Sequence, residues 1–194
     1  MTRPDVVRGD DGLARCGWVG NDPEYQRYHD EEWGTPLRDP ARLFEKICLE
    51  GFQAGLSWIT ILRRRDAFRE VFLDFDAERV AAFTTDDVER LLQDERIIRH
   101  RGKIEATISN AQAYVSLNVP LNDLIWRHQP SELRERPARL DQIPAVTNES
   151  TALSRKLRNL GFRFVGPTTM YALMQSAGLV DDHLVGCFRA TQPN

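Results

Sequence analysis

Ile97-Ile98-Arg99-His100-Arg101-Gly102-Lys103-Ile104, continued by EATISNAQAYVSL to Leu117, is the stretch that decides the fold class of this chain. A short basic turn with one glycine runs directly into a stripe of Ile104, Ile108, Ala111 and Val115. That spacing follows the 3.6-residue period of an α-helix and predicts one over 103–117. Similar signals surround it. Asp39 before Pro40 is an N-cap followed by proline at the first helical position, and the run to about Glu50 places Leu43 and Ile47 on one face. Cys48 falls on the Phe44 side of the same helix, as a small core residue. Thr84 or Thr85 caps a helix carrying Val88, Leu91 and Leu92, with Asp86, Asp87 and Glu89 at its positive end. Ser150 or Thr151 opens another with Leu153, Leu157 and Leu160, stopped by Gly161. Gly166-Pro167 starts one running through Met170, Tyr171 and Met174 to Gly178. Period-2 alternation is nearly absent, so the expectation is an all-α protein of many short helices.

The chain has 194 residues, 41% hydrophobic and 28% charged, which is globular composition with enough length for a sizeable core. Its longest conspicuous uncharged stretch, Gly51 to Leu62, is too short for the ~20 residues of a membrane span. MTRPDVVRGDDG has no apolar centre, so no secretory signal is expected and the expected location is cytoplasmic. Residues 1–12 read as a flexible extension. The net charge of −3 excludes a globally basic nucleic-acid coat but leaves local patches open. One such patch is Arg96 to Lys103, RIIRHRGK, with no acid in it. Three cysteines, Cys16, Cys48 and Cys187, cannot form a disulfide framework, so metal binding or reactivity is the alternative use.

Two segments have the outline of turns made for phosphate. One is the basic turn at 97–104. The other is Phe162-Arg163-Phe164-Val165-Gly166-Pro167-Thr168-Thr169, where a glycine precedes a helix start with hydroxyls. Free N–H groups at such helix starts bind anions, as in the helix-hairpin-helix element that grips DNA phosphates without reading sequence. Arg99, Arg101, Gly102 and Lys103 in the first, and Gly166 in the second, are the candidate contacts. His100 and His128 read as surface or capping residues.

Glu50 is anomalous. It stands seven residues after Leu43 and three after Ile47, so a helix that continues this far turns a carboxylate inward, which is costly without a partner. If the helix ends just before it, Glu50 bends to solvent instead. Five of the eight Trp and Tyr residues, Trp18, Tyr25, Tyr28, Trp33 and Trp58, lie in the first 60 positions. Such rings are ordinary core material; with one carboxylate they also suit a flat cationic ring. Cys16 and His29 lie near one end of the chain and His183 and Cys187 near the other. If 183–187 is helical, His183 and Cys187 face one point. A Cys2His2 set would bind zinc tetrahedrally with no open position, a structural staple; the spacing equally allows four unrelated residues.

The segments RCGWVGNDPEYQRYHDEEWG, FEKICLEGFQAGLSWITIL, IIRHRGKI, GFRFVGPTTMYALMQSAGLV and DDHLVGC together closely resemble the 3-methyladenine DNA glycosylase I family, from about Arg15 to Cys187. The resemblance implies an all-α helix-hairpin-helix fold forming one domain over 13–190, with two helical subdomains and a base pocket between them. It implies release of N3-methyladenine from alkylated double-stranded DNA, with N3-methylguanine a weak second substrate. The product is an abasic site, formed without lyase activity. It also implies one structural zinc held by Cys16, His29, His183 and Cys187, and no organic cofactor. Glu50 matches the glutamate that hydrogen-bonds the extruded base and Trp58 the ring that stacks on it. Trp18, Tyr25 and Tyr28 match the other pocket rings. Gln53-Ala54-Gly55-Leu56 corresponds to the loop that enters the DNA stack, with Leu56 as apolar wedge.

One departure is Val180-Asp181-Asp182-His183. Many helix-hairpin-helix glycosylases carry a catalytic aspartate at the place of Asp181, where the methyladenine family commonly has asparagine. Asp181 is therefore a candidate for stabilising the sugar cation, or a plain polar residue beside the metal ligand. The competing functional expectation is a zinc-stapled module that reads DNA lesions without cutting. A third is the same fold acting on other N-alkylated purines or on free nucleosides. A monomer is expected.

Overall fold

The computed structural model of the chain describes residues 4–132 and 135–191. Its centre is a helix, α2 (Pro40–Gln53), which follows α1 (Pro23–Glu31) in the chain. The Asp39 carboxylate accepts the Arg42 N–H at 2.8 Å, and Pro40 sits where its missing N–H leaves nothing unpaired. Leu43, Phe44 and every residue from Ile47 to Phe52 are buried, so from Ile47 to Phe52 the helix is packed on all sides. Each such apolar side chain contributes roughly 1.5–3 kcal/mol of burial. α3 (Trp58–Leu62), α7 (Arg101–Val115), α8 (Leu121–Trp126) and α10 (Pro167–Ser176) all contact α2. Around α7 lie α5 (Ala77–Ala81) and α6 (Thr85–Gln93), with α4 (Arg65–Val71) completing the first half. α9 (Asn148–Asn159) packs on α10. α1 (Pro23–Glu31) stands apart from this body and contacts α3.

The helical expectations hold with specific differences. Ile104, Ile108 and Ala111 are buried as the stripe predicts, but Val115, at the last turn of α7, is 46% exposed. Thr84 is the N-cap of α6, and Asp87 accepts its N–H in a capping box. α9 starts a turn earlier than Ser150. Thr147 is its cap and Ser150 its reciprocal partner, each side-chain oxygen accepting the other's N–H at 3.2 and 3.0 Å. Several hydroxyl residues in sequence can each cap, and only the reciprocal pair satisfies two donors at once.

The chain is not wholly helical. β1 (Val6–Arg8) pairs antiparallel with β2 (Ala14–Cys16), Val6 opposite Cys16 and Arg8 opposite Ala14. The flexible extension expected over 1–12 is thereby corrected from Val6 onward, while residues 1–3 lie outside the described residues. Three-residue strands are too short to display an alternation. They are tied down by Asp5, whose carboxylate accepts the Leu140 N–H at 2.8 Å and whose carbonyl accepts the Gly17 N–H at 2.7 Å.

Two apolar cores result. The large one fills the space between α2 and the helices around it; the small one gathers Cys16, Val19, Tyr28, Trp33, Leu62, Leu184 and Cys187. Trp58 packs against both. The seam is closed at Gly178 (φ +73°), where a Cβ would lie 2.6 Å from the Pro36 nitrogen and 2.8 Å from the Gly34 carbonyl oxygen. Only glycine allows that approach. Among the described residues, no helix is long and apolar enough to cross a membrane.

Candidate functional site

At the seam between the two cores lies a cavity of about 190 Å³. α1 supplies Tyr25 and Tyr28, α2 supplies Glu50 and Gln53, α3 supplies Trp58, and α10 supplies Ala172, Gln175 and Ser176; Trp18, Trp33 and Ile143 complete the wall. All five aromatic residues singled out in the first third of the sequence therefore converge on one cavity. Trp18 meets Tyr25 edge-on at 4.9 Å between centroids and Trp33 at 5.1 Å. Tyr28 and Trp58 lie tilted at 5.4 Å. Burial, then the nearby Glu50 charge, hold the Tyr28 phenol well above its ordinary range, so it stays neutral.

Glu50 is 3% exposed. The helix runs on to Gln53, so the alternative in which Glu50 bends to solvent does not occur. The Ser176 hydroxyl donates to its Oε1 at 3.1 Å. Burial pushes the carboxyl from the ordinary 4.5 up to about 7, against the pull of Lys46 and of the Ser176 bond. A second polar group lines the same wall: the Trp58 Nε1–H is buried with no hydrogen-bond partner among the described residues. Such groups cost about 1–3 kcal/mol each and concentrate at binding sites. Ser176, Gln175, Ala172 and Ile143 were not legible as site residues. Ser176 lies 126 positions from Glu50 in sequence, and a serine near a helix end carries no local signal.

Beyond Gln53 the chain turns through Gly55 (φ +83°) to Leu56, which is 40% exposed at the rim. Lys103, expected to meet phosphate, instead points inward and is 7% exposed. Its ammonium donates to the carbonyls of Phe52 and Ala54 at 2.8 and 2.6 Å, satisfying orphan acceptors at the end of α2. In the same turn Arg101 pairs with Glu89 at 2.7 Å and Arg99 with Glu95 at 3.4 Å, both exposed. His100 is the N-cap of α7 and accepts the Lys103 N–H, and His128 bonds the Leu124 carbonyl, so both histidines cap as expected. The second turn differs. Gly166 is the N-cap of α10, and, having no side chain, it supplies no cap to the first N–H groups of that helix. Asn110 holds the turn from below, donating to the Arg163 carbonyl at 3.2 Å and accepting its N–H at 2.7 Å.

Cys16, His29, His183 and Cys187 are all buried, and their ligand atoms lie within 4.8 Å of one another. Cys187 Sγ is 3.5 Å from His29 Nε2 and 3.6 Å from His183 Nδ1, and Cys16 Sγ is 3.9 Å from His183 Nδ1. The remaining ring nitrogens face outward: His29 Nδ1 lies 2.7 Å from Asp30, itself held by Arg15, and His183 Nε2 lies 3.2 Å from the Trp33 carbonyl. These acceptors select the tautomers that leave both inner nitrogens with lone pairs, the arrangement a metal requires. Residues 183–187 are not helical; a turn at Gly186 (φ +90°) brings His183 and Cys187 together.

Asp181 is not brought to the aromatic cavity. It accepts from Arg136 at 2.5 Å and from the His183 N–H at 3.1 Å, and lines a separate hollow. Its neighbour Asp182 is 2% exposed and accepts from Tyr171 and Gln175 at 2.6 and 2.9 Å.

Residues 18–190 match the family model for methyladenine glycosylases. The DNA-3-methyladenine glycosylase 1 of Escherichia coli is 52% identical over 181 residues, covering 90% of this chain and 96% of the relative. The DNA-3-methyladenine glycosylase of Haemophilus influenzae is 48% identical with the same coverage of 90% and 96%. A crystal structure of 3-methyladenine DNA glycosylase I superposes with TM-score 0.88 at 50% identity, covering 92% of this chain and 100% of that one. The Staphylococcus aureus enzyme, studied for its recognition of 3-methyladenine, superposes with TM-score 0.87 at 35% identity, covering 93% and 98%. With this match over 18–190 and relatives about half identical across 90% of its length, the chain belongs to the methyladenine glycosylase family.

Proposed function

We infer that this chain is a DNA-3-methyladenine glycosylase, which releases N3-methyladenine from alkylated DNA by hydrolysis and leaves an abasic site. The observation that carries this reading is Glu50: a carboxylate buried inside an aromatic cavity, which among the described residues faces no guanidinium and accepts from the Ser176 hydroxyl. Such a group is costly in the free protein and suits a flat cationic ligand.

The chemistry follows from the lesion. Methylation at N3 gives the purine a positive charge, so cleavage of the glycosidic bond returns its electron pair to the ring and the base leaves neutral. Water adds to the sugar carbon and loses a proton. Acceleration can therefore come largely from recognition. The nucleotide must first leave the stack, at a few kcal/mol, less for a damaged base. Leu56, exposed beyond the Gln53–Gly55 turn, is placed to fill the gap as an apolar wedge. In the cavity, the Trp58 face attracts a cation by about 0.5–2 kcal/mol, and Trp18, Tyr25 and Tyr28 extend the same surface. Glu50 accepts from an N–H edge with charge assistance. Both contacts favour the alkylated base over neutral adenine. DNA phosphate contact is assigned to the helix-hairpin-helix formed by α9, the turn ending at Gly166, and α10, whose N-cap Gly166 supplies no side-chain cap to its first N–H groups. Arg99 and Arg101 lie on a second exposed turn, where phosphates would compete with Glu95 and Glu89. Gly102 lets that backbone approach closely, while Lys103 braces the wedge loop from within.

The Cys2His2 cluster fits zinc. Two thiols and two imidazoles are the donor set zinc prefers, and four protein ligands leave no open position. Zinc here would join the first strand hairpin and α1 to the chain's final turn. Its part is structural, fixing Tyr28 through its neighbour His29.

The test is chromatographic resolution of bases released from duplex DNA treated with dimethyl sulfate. Selective release of 3-methyladenine is expected, slowed about 10- to 100-fold in Glu50→Gln, the worth of one charge-assisted hydrogen bond. A folded, metal-replete protein that binds this DNA and releases no base would instead be a non-cutting lesion reader.

A further inference from the structure

Lys46 stands four residues before Glu50 on α2, on the same face. It is half-buried, and its Nζ lies over the Tyr28 ring at 5.4 Å from the centroid. It does not line the base cavity. It lines a small hollow of about 20 Å³ behind it, with Trp58 forming the wall between the two. Arg42 also lines that hollow, and four of its other charges are matched in pairs. Arg65 donates to both carboxylate oxygens of Glu32 at 2.6 and 3.0 Å, and Arg69 donates to Glu45 at 2.8 Å. Lys46 thus has Glu32 at the end of α1, Glu45 on its own helix and Arg65 from α4 around it, with Glu50 one turn away. Glu50 itself is faced by Lys46 from α2, Ser176 from α10 and Tyr28 from α1.

A lysine stem with its ammonium tucked behind an aromatic ring is an uncommon core residue, because burial disfavours its charge. Its charge does have a use there. A buried carboxylate without a cation nearby takes up a proton, and then accepts from a cationic purine only through a neutral carbonyl oxygen, without charge assistance. The same ammonium repels an incoming cation, but it lies behind the wall while the ligand meets Glu50 directly. Charge interactions weaken with distance, so the nearer pair dominates.

We propose that Lys46 is a positioning residue of the base cavity, whose charge behind Tyr28 favours the ionised form of Glu50 and so extends acceptance of a cationic base toward lower pH. This rests on the reading that Glu50 receives the base. The test compares wild type with Lys46→Met and Lys46→Arg in two measurements. One is single-turnover release of 3-methyladenine as a function of pH. The other is carbon NMR titration of the Glu50 carboxylate in the DNA-free protein, its signal assigned by loss in Glu50→Gln. In Lys46→Met both the carboxylate midpoint and the acidic limb of the rate profile should move up by about 1 pH unit, making release about tenfold slower on the acidic side. The rates should converge at alkaline pH, and Lys46→Arg should restore the wild-type profile. An unmoved Glu50 midpoint, or a loss of rate uniform across pH, overturns the proposal. A moved midpoint with an unchanged rate profile also overturns it, and shows that the failure lies in the role given to Glu50. Lys46→Gln repeats both measurements if the methionine variant does not fold.

Discussion

The aromatic cavity and the Cys/His cluster sit back to back, sharing α1: Tyr28 faces one and His29 the other. Trp33 touches both, lining the cavity and meeting the His183 ring edge-on at 4.7 Å. Both bury polar groups, yet they treat them oppositely. In the cluster every outward ring nitrogen has an acceptor, and the four inner atoms face one another. In the cavity, among the described residues, Glu50 accepts from one hydroxyl and the Trp58 N–H has no partner. The cluster is built to be completed within the protein and so to stabilise it. The cavity is left incomplete, which lowers stability and reserves its interactions for a ligand. Mutations should therefore move stability in opposite directions at two places a few ångströms apart.

The largest expected effect is on the cluster. Cys187→Ala leaves three buried ligands without their set, which should remove several kcal/mol, about 3–5, and lower Tm by on the order of 10 °C. Chelation of the wild type should do the same, read by thermal melting. A metal-free, folded protein with an unchanged melt would dissolve the contrast.

The cavity should respond in the other sense, through pH. Glu50 has its folded pKa raised from 4.5 to about 7. Between those values the folded state holds the proton more tightly than the unfolded chain. Stability from this group is therefore full below about pH 4.5 and declines as pH rises to about 7, by on the order of 3 kcal/mol. Glu50→Gln lacks that slope. It should melt like wild type near the lower value and above it at alkaline pH, while releasing base more slowly. A variant destabilised at alkaline pH would show that Glu50 is a structural residue.

The smallest effect belongs to Asp181, which borders the cluster and not the cavity. Its partners are Arg136 and the His183 N–H, so Asp181→Asn should cost about 1 kcal/mol of stability and leave single-turnover release within about twofold. A tenfold or greater loss of rate at unchanged stability would place the aspartate in the chemistry and join the two regions functionally.

How much of this was legible differs by element. Two caps were: Asp39-Pro40 and Gly166-Pro167 each start the helix their chemistry specifies, while Thr84 is one of two adjacent threonines between which spacing does not choose. The β1–β2 hairpin was not, because three residues cannot carry a period, and the start of α9 was not, because neighbouring hydroxyl residues compete for the cap. Lys103 was read as a phosphate contact from its place in a basic run. A run of charges records composition, and the direction of each side chain depends on what packs beneath it. Here the carbonyls of Phe52 and Ala54 lie beneath.

The sequence by itself determined the helical class, the four Cys and His ligand candidates and the family, since each depends on local spacing or on ordered motifs; it left Glu50 open between the core and solvent. Tertiary structure alone decided that Ser176 meets Glu50, that Gly186 and not a helix brings His183 to Cys187, and that Asp181 turns to Arg136. Those outcomes are set by contacts across distant parts of the chain, where packing and hydrogen-bond satisfaction choose among conformations that local spacing leaves equally open.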